Sequence, residues 1–191
     1  MKMEGWKRVG EIPATQNSKD FLLTLVLLVL YFIYAAWLRF VIGMDITDIL
    51  RSRFIPDMIF FAVGHMILTV IHEYSHWGAA RIFGHSAKVS IRIFRGFPRC
   101  NIRGPMAFWP FVWTAAMPAI VLIILLLIIL FLALHWIFPS WMVVFMLGTL
   151  KMYGCSGDIQ FILEAFRYGK DCLFEQFGEE AGHFLVYRRQ A

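Results

Sequence analysis

The sequence predicts an all-α polytopic membrane protein with four transmembrane helices and a short β-hairpin between the second and the third. Of its 191 residues, 60% are hydrophobic, which is more than a soluble domain of this length needs for its core. Its apolar stretches are long enough to cross a bilayer. Two of them contain ionisable residues at membrane depth, where such groups usually mark a functional cavity. The length allows one compact unit, so we expect a single membrane domain.

The first expected span is a retained membrane anchor. It contains an unbroken apolar run of 18 residues from Phe21 to Leu38, with no small-x-small cleavage site after it. Pro118 is expected to start or kink the third span. The short turn Pro139-Ser140 makes the fourth span antiparallel to the third. The four spans are expected at about 20–42, 57–83, 110–138 and 141–167.

Residues 57–168 are expected to form the catalytic core, and residues 169–191 a cytosolic tail in which His183 to Arg188 could form a strand. A hairpin is expected between the second and third spans, because apolar Val89 and Ile91 alternate with polar residues and the segment from Cys100 to Arg103 could return as a second strand. The edge of this basic hairpin could pair with an extended substrate, or the ribbon could lie on anionic lipid headgroups.

The charge distribution predicts the topology. The formal net charge of +5 could indicate nucleic-acid binding, but the basic residues flank apolar spans, so no nucleic-acid partner is expected. With four spans and the N-terminus inside, fourteen of the 18 Lys and Arg residues lie on the inner side. This predicts a multi-pass protein of the cell membrane with both termini in the cytosol. The three cysteines indicate neither a disulfide framework nor a thiolate zinc site, and the oligomeric state is left open.

The second span contains the sequence His72-Glu73-Tyr74-Ser75-His76. Histidines at positions i and i+4 lie on one helical face, about 5–6 Å apart at Cβ, and can share one metal ion. The glutamate after the first histidine can take a proton from the attacking water. A pair of packing histidines beside a stray glutamate is the alternative, but such groups are costly in lipid. The motif therefore predicts a Zn²⁺ site with His72 and His76 as ligands and Glu73 as the catalytic residue.

Asp158 is the expected third ligand, because a catalytic zinc site normally has three protein ligands. At a rise of 1.5 Å per residue, His76 and Asp158 both lie some 12–15 Å from the cytosolic face. Gly154 and Gly157 would let the fourth span approach closely or unwind locally. The alternative for Asp158 is a salt bridge with Lys151. Glu164 is the reserve ligand and Cys155 a weaker one, although both could instead be helix-packing residues. His65 lies about 10 Å from His72 along the helix, too far to share one zinc easily, so we expect a hydrogen-bonded histidine in the helix interface.

These features resemble the intramembrane site-2 protease superfamily and, more closely, an uncharacterised prokaryotic family of zincin peptidases. Besides the H-E-x-x-H motif, the resemblance rests on Ser156-Gly157-Asp158-Ile159 and on the tail sequence from Gly182 to Tyr187. It implies that His72, His76 and Asp158 bind zinc and that Glu73 is the catalytic carboxylate. Site-2 proteases usually have Leu-Asp-Gly with an upstream Asn-Pro element, whereas this chain has Ser-Gly-Asp and no such element, so the substrate contacts of those proteases are not carried over.

The sequence therefore predicts an intramembrane zinc metalloprotease that hydrolyses peptide bonds in or near transmembrane segments. The expected partners are a membrane-protein or peptide substrate and the lipid bilayer. Lys151 or Asn101 is expected to contact the substrate or the oxyanion. Two other functions stay open. One is a non-catalytic metal-binding membrane scaffold or partner-binding protein, and the other is a haem protein with axial ligands among His65, His72 and His135.

Overall fold

A computed structural model describes residues 5–13, 55–91, 98–135, 141–177 and 183–190, together with the isolated helical positions 29, 33 and 40. The first predicted span, residues 20–42, lies outside these ranges apart from the isolated positions. The chain divides into two compact units. The first unit comprises Met1–Gln16, Thr69–Val121 and Cys155–Ala191, and the second comprises Asn17–Leu68 and Leu122–Gly154.

The helices of the described residues are α1 (Ile55–Ile82), α2 (Phe108–His135), α3 (Trp141–Gly154) and α4 (Ser156–Tyr168). The first two correspond to the second and third predicted spans. Pro56 lies in the first turn of α1, where its missing N–H costs nothing. The helix ends before Gly84, whose positive φ of 79° suits glycine. Among the described residues, only Ile55–Ile82 and Phe108–Leu132 are long and apolar enough to cross a membrane.

The prediction of a single fourth span at 141–167 is wrong. That segment forms two helices, α3 of 14 residues and α4 of 13 residues, which are interrupted at Cys155. Neither is long enough to cross a bilayer of about 30 Å, which needs about 20 helical residues. The interruption falls between Gly154 and Ser156-Gly157, where weak helix formers follow one another. The four-span architecture is therefore incorrect.

The all-α prediction is also wrong, because the described residues contain two antiparallel sheets. The smaller sheet is the predicted hairpin, in which β2 (Ser86–Ser90) pairs with β3 (Arg99–Arg103) and Val89 lies opposite Cys100. The turn expected between these strands lies outside the described residues. The larger sheet has the strand order β1-β6-β5-β4. Its strands are β1 (Trp6–Ile12), β4 (Met106–Ala107), β5 (Cys172–Gln176) and β6 (Phe184–Arg189).

The larger sheet joins the two ends of the chain, since β1 pairs with β6 from Trp6↔Arg189 to Ile12↔Phe184. The tail strand expected near residues 183–188 is thus present as β6. Three other strands, β1, β4 and β5, carried no recognised sequence signal. β1 and β4 are short or charged and pair with strands distant in the sequence, and β5 lies between β4 and β6, so tertiary packing decides these strands.

The core of the first unit brings together the end of α1, both sheets and the start of α2. Phe111 of α2 stacks on Phe174 of β5 with ring centroids 4.4 Å apart, and Phe184 of β6 meets Phe111 edge-on at 4.9 Å. Burial of each such ring contributes about 1.5–3 kcal/mol. Because Ala80 of α1 and Cys100 of β3 belong to the same core, this packing holds the last turns of α1 beside the hairpin.

The second unit has its own apolar cluster. Val143, Met146 and Leu150 of α3 are buried, and Phe60 and Phe61 of α1 pack against them. Gly64 also belongs to this unit, and a Cβ built at Gly64 would lie 3.0 Å from a methyl group of Leu147. The absence of a side chain at Gly64 therefore permits the close packing of α1 and α3, as small residues do in membrane helix pairs.

Candidate metal centre

His72, His76 and Asp158 converge in the first unit. Nε2 of His72 lies 3.4 Å from Oδ2 of Asp158, and Nε2 of His76 lies 3.3 Å from Oδ1 of the same carboxylate. The two imidazole rings are 5.0 Å apart and nearly perpendicular. One ligand atom from each residue lies within 4.8 Å of the other two. The one-turn spacing on α1 and the first turn of α4 thus present two nitrogens and a carboxylate to a single point.

Each histidine has a contact at Nδ1, on the side of the ring away from Asp158. Nδ1 of His76 lies 2.8 Å from the backbone carbonyl oxygen of Thr114 in α2. Nδ1 of His72 lies 3.7 Å from the sulfur of the fully buried Cys155. Contacts of this kind orient a metal-binding imidazole and set which nitrogen carries the proton. Nε2 is therefore the nitrogen that each ring presents towards the carboxylate.

The donor set fits a zinc ion. Oδ2 of Asp158 is a buried oxygen with no hydrogen-bond partner, and a buried carboxylate oxygen left in that state is costly unless another group satisfies it. Two imidazole nitrogens and one carboxylate are the three protein ligands found in one class of catalytic zinc sites. The side chains of His72, His76 and Asp158 are 17%, 15% and 11% exposed, so the group is largely buried but keeps some contact with the surroundings of the protein.

Glu73 lies beside these three side chains. Its Oε1 is 4.0 Å from Nε2 of His72, and its Oε2 accepts a hydrogen bond of 2.6 Å from the backbone N–H of Cys100 in β3. The hairpin therefore orients the carboxylate next to the ligand group. Burial raises the pKa of the Cys100 thiol to about 12, and the nearby Glu73 carboxylate acts in the same direction.

Other side chains considered from the sequence have different surroundings. Glu164 forms an ion pair of 2.6 Å with Arg167, one turn along α4. Its carboxylate therefore has a partner within its own helix. Asn101 of β3 accepts a hydrogen bond of 3.5 Å from Gln176 of β5. Lys151 is buried in α3 of the second unit. The substrate or oxyanion roles expected for Lys151 and Asn101 stay predictions.

The haem hypothesis also named His65 and His135. His65 belongs to the second unit, where its ring stacks on Phe61 with centroids 6.3 Å apart. The side chain of His135 lies outside the described residues. Nε2 of His72 lies 3.4 Å from the Asp158 carboxylate. This arrangement suits a metal cation, whereas an axial haem ligand does not require a carboxylate beside it.

Sequence reasoning missed two backbone groups, the Thr114 carbonyl and the Cys100 N–H. Every residue except proline carries both groups, so the identity of the residue holds no information about their role. A partial signal existed for Thr114, because a proline lies four residues after it in an apolar helix. The contact of Cys155 with His72 was also missed, although Cys155 had been considered as a weak ligand.

A family model described as "Putative zincin peptidase" matches residues 65–173 of the chain. The matched region includes the H-E-x-x-H motif, the hairpin strands, Thr114 and Asp158. Comparison with curated proteins and with solved structures gave no match. The family implies zinc as the metal, in agreement with the three side chains that could hold it. Because the match covers more than half of the sequence, the chain belongs to this zincin peptidase family and is assigned as a zinc metallopeptidase.

Proposed function

We propose that this protein is an intramembrane zinc metalloprotease that hydrolyses peptide bonds in or near transmembrane segments of membrane proteins. The observation that carries the proposal is that α1 carries both His72 and His76 and also exposes apolar side chains, among them Ile59, Val63 and Met66. His76 precedes the last residue of α1, Ile82, by six positions, or about 9 Å along the axis. The site would therefore lie within the membrane but close to one surface.

The exposure of the apolar side chains supports a membrane location. In a soluble protein, an apolar helix of this length would be the buried core helix. Here only 11% of the apolar 18-residue segment of α1, and 17% of that of α2, is buried inside the protein. Met66 is 63% exposed, and Leu127 and Phe131 are each 60% exposed. Exposed apolar surface of this extent would be stable against lipid rather than against water.

The chemical roles follow from the contacts. His72, His76 and Asp158 would hold zinc, which when bound supplies a Lewis acid that polarises the scissile carbonyl and makes water more acidic. Glu73 would accept a proton from the attacking water and deliver it to the leaving amine. The N–H of Cys100 holds the Glu73 carboxylate beside the ligand group, so the base is already oriented before a substrate arrives.

The substrate would be an unwound segment of a transmembrane helix, because the carbonyls of an intact helix are hydrogen-bonded and shielded from water. The hairpin lies directly beside Glu73 through Cys100, and extended peptides often bind by pairing with the edge of a sheet. We further propose that the site faces the cytosolic side of the cell membrane, on the basis of the basic residues that flank the apolar helices.

The test is a cleavage assay with the full chain purified in detergent, using a labelled peptide that contains one apolar helix of about 20 residues with polar flanks. Wild type is expected to contain about one zinc ion and to cut the peptide. Glu73→Gln is expected to retain zinc and lose turnover, whereas His72→Ala should lose both. Ser75→Ala is the matched control, since the Ser75 hydroxyl donates to the Ile71 carbonyl of its own helix and is expected to leave cleavage unchanged.

Three outcomes would contradict the proposal. Zinc-loaded wild type that cuts no transmembrane or soluble peptide would indicate a non-catalytic metal-binding scaffold. If wild type cut soluble peptides but never the apolar helix, the assignment as a peptidase would stand and the proposal of an intramembrane substrate would be overturned. Cleavage by Glu73→Gln at the wild-type rate would remove Glu73 from the mechanism.

A further inference from the structure

Pro118 lies inside α2, ten residues after the first residue of the helix. In an unbroken α-helix, the N–H of residue 118 would donate to the carbonyl oxygen of residue 114. Proline has no N–H, so it removes this intrahelical hydrogen bond. The Thr114 carbonyl therefore lacks its regular partner at a point where α2 is buried, because Thr114 is 3% exposed. A buried carbonyl in this position needs another donor.

His76 supplies that donor. Its Nδ1 lies 2.8 Å from the Thr114 carbonyl oxygen. A carbonyl oxygen can only accept a hydrogen bond, so Nδ1 must carry the proton and donate it. In the neutral ring, Nε2 then carries the lone pair. This is the nitrogen that lies 3.3 Å from the Asp158 carboxylate, on the side of the proposed metal.

We propose that Pro118 is a positioning residue for the metal centre. Because it removes one helical N–H, the Thr114 carbonyl is available to accept a hydrogen bond from His76. This bond holds the ring in the tautomer and orientation that present Nε2 to a divalent cation. This inference rests on the proposed zinc site and adds a residue that contacts neither the metal nor the substrate. Its physical basis is that the second nitrogen of a metal-binding histidine usually donates to a fixed acceptor, whose loss typically lowers metal affinity by about 10–100-fold.

Two substitutions test the role of the missing N–H. Pro118→Ala and Pro118→Val both restore an N–H that can donate to the Thr114 carbonyl, whereas they differ in volume. Alanine leaves space at a buried position, and valine nearly fills it. If the N–H is the cause, both variants should weaken zinc binding about tenfold or more. If lost packing were the cause, only Pro118→Ala would do so.

The matched control is Pro110→Ala. Pro110 lies in the first turn of the same helix, where its N–H would have no intrahelical partner in any case. Zinc affinity is measured by competition with a chromophoric chelator on the detergent-purified full chain. Pro110→Ala is expected to bind zinc as wild type does. Circular dichroism and the melting temperature show whether each variant is folded. Because a proline in a helix interior is unfavourable, Pro118→Val should not have a lower melting temperature than wild type.

The tautomer of His76 is a second readout, and it needs neither metal nor activity. Nitrogen-15 spectra of the metal-free protein, assigned with His76→Gln, are expected to show the proton on Nδ1 in wild type and in Pro110→Ala. The Pro118 variants should show a smaller Nδ1-protonated fraction, because the Thr114 carbonyl would then accept from residue 118 instead of from Nδ1. Zinc affinity and tautomer unchanged in both Pro118 variants would overturn the inference while leaving the zinc site intact. Absence of zinc binding by wild type would instead contradict the proposed function, and the tautomer would still report on Pro118.

Discussion

Replacement of Asp158 by asparagine is the most direct test of the three-ligand group. The change keeps the size of the side chain but removes the charge of a carboxylate whose two oxygens lie 3.4 Å and 3.3 Å from the imidazole nitrogens. Apparent zinc-binding free energies of about 10–16 kcal/mol for four-ligand protein sites correspond to roughly 3 kcal/mol per ligand. A loss of about 3 kcal/mol weakens binding by about 10²-fold, since each 1.36 kcal/mol is a factor of ten.

Competition with a chromophoric chelator at fixed pH gives the zinc dissociation constant of the detergent-purified chain. Asp158→Asn is expected to raise this constant by about 10²-fold. Glu164→Gln is the matched control, because Glu164 lies on the same helix but pairs with Arg167. It should bind zinc as wild type does. If Asp158→Asn bound zinc within threefold of wild type, or if Glu164→Gln lost it, the assignment of Asp158 as the third ligand would be refuted.

Three further predictions concern stability and reactivity. Zinc at about 100 times its dissociation constant should raise the free energy of unfolding by about 2.7 kcal/mol, seen as a melting shift that a chelator reverses and that His72→Ala lacks. Gly10→Ala should destabilise the first unit by about 1–3 kcal/mol, because a Cβ there would overlap the Tyr168 ring; combination with Tyr168→Ala should cost less than the sum of the two single changes. With a thiol pKa of about 12, Cys100 should be alkylated at pH 8 about a thousandfold more slowly than an exposed cysteine, and the rate should increase as the pH rises. Mass spectrometry of the labelled peptide measures this rate. Fast labelling of Cys100 in the folded protein would contradict its burial.

Local periodicity explains what could be predicted. The histidines of the motif face one another because a helix places positions i and i+4 on one side, and α1 extends over the expected segment. The hairpin was predicted because side chains alternate along β2 and β3. Asp158 was selected by its depth along a span that does not exist as one helix. The structure nevertheless places its carboxylate against both imidazoles. The ligand roles of these side chains stay predictions until metal is measured.

The errors arose where hydropathy was taken to report continuous helices. Residues 141–167 are apolar on average, but the helix is interrupted at Cys155, and the polar α4 carries Asp158 into the first unit. The pairing of β1 with β6 was not predicted either. A pairing between residues about 180 positions apart depends on chain topology, and strand propensity in such short charged segments is too weak to reveal it.

The amino-acid sequence by itself determined which chemical groups are present and which of them share a helical face: two imidazoles one turn apart, a carboxylate beside them and a proline within an apolar helix. Only the tertiary structure decided which backbone groups those side chains meet. The N–H of Cys100 reaches Glu73 and the carbonyl of Thr114 reaches His76 because the core of the first unit packs β3 and α2 against α1. Backbone amides are alike at almost every position, so their roles come from folding and not from residue identity.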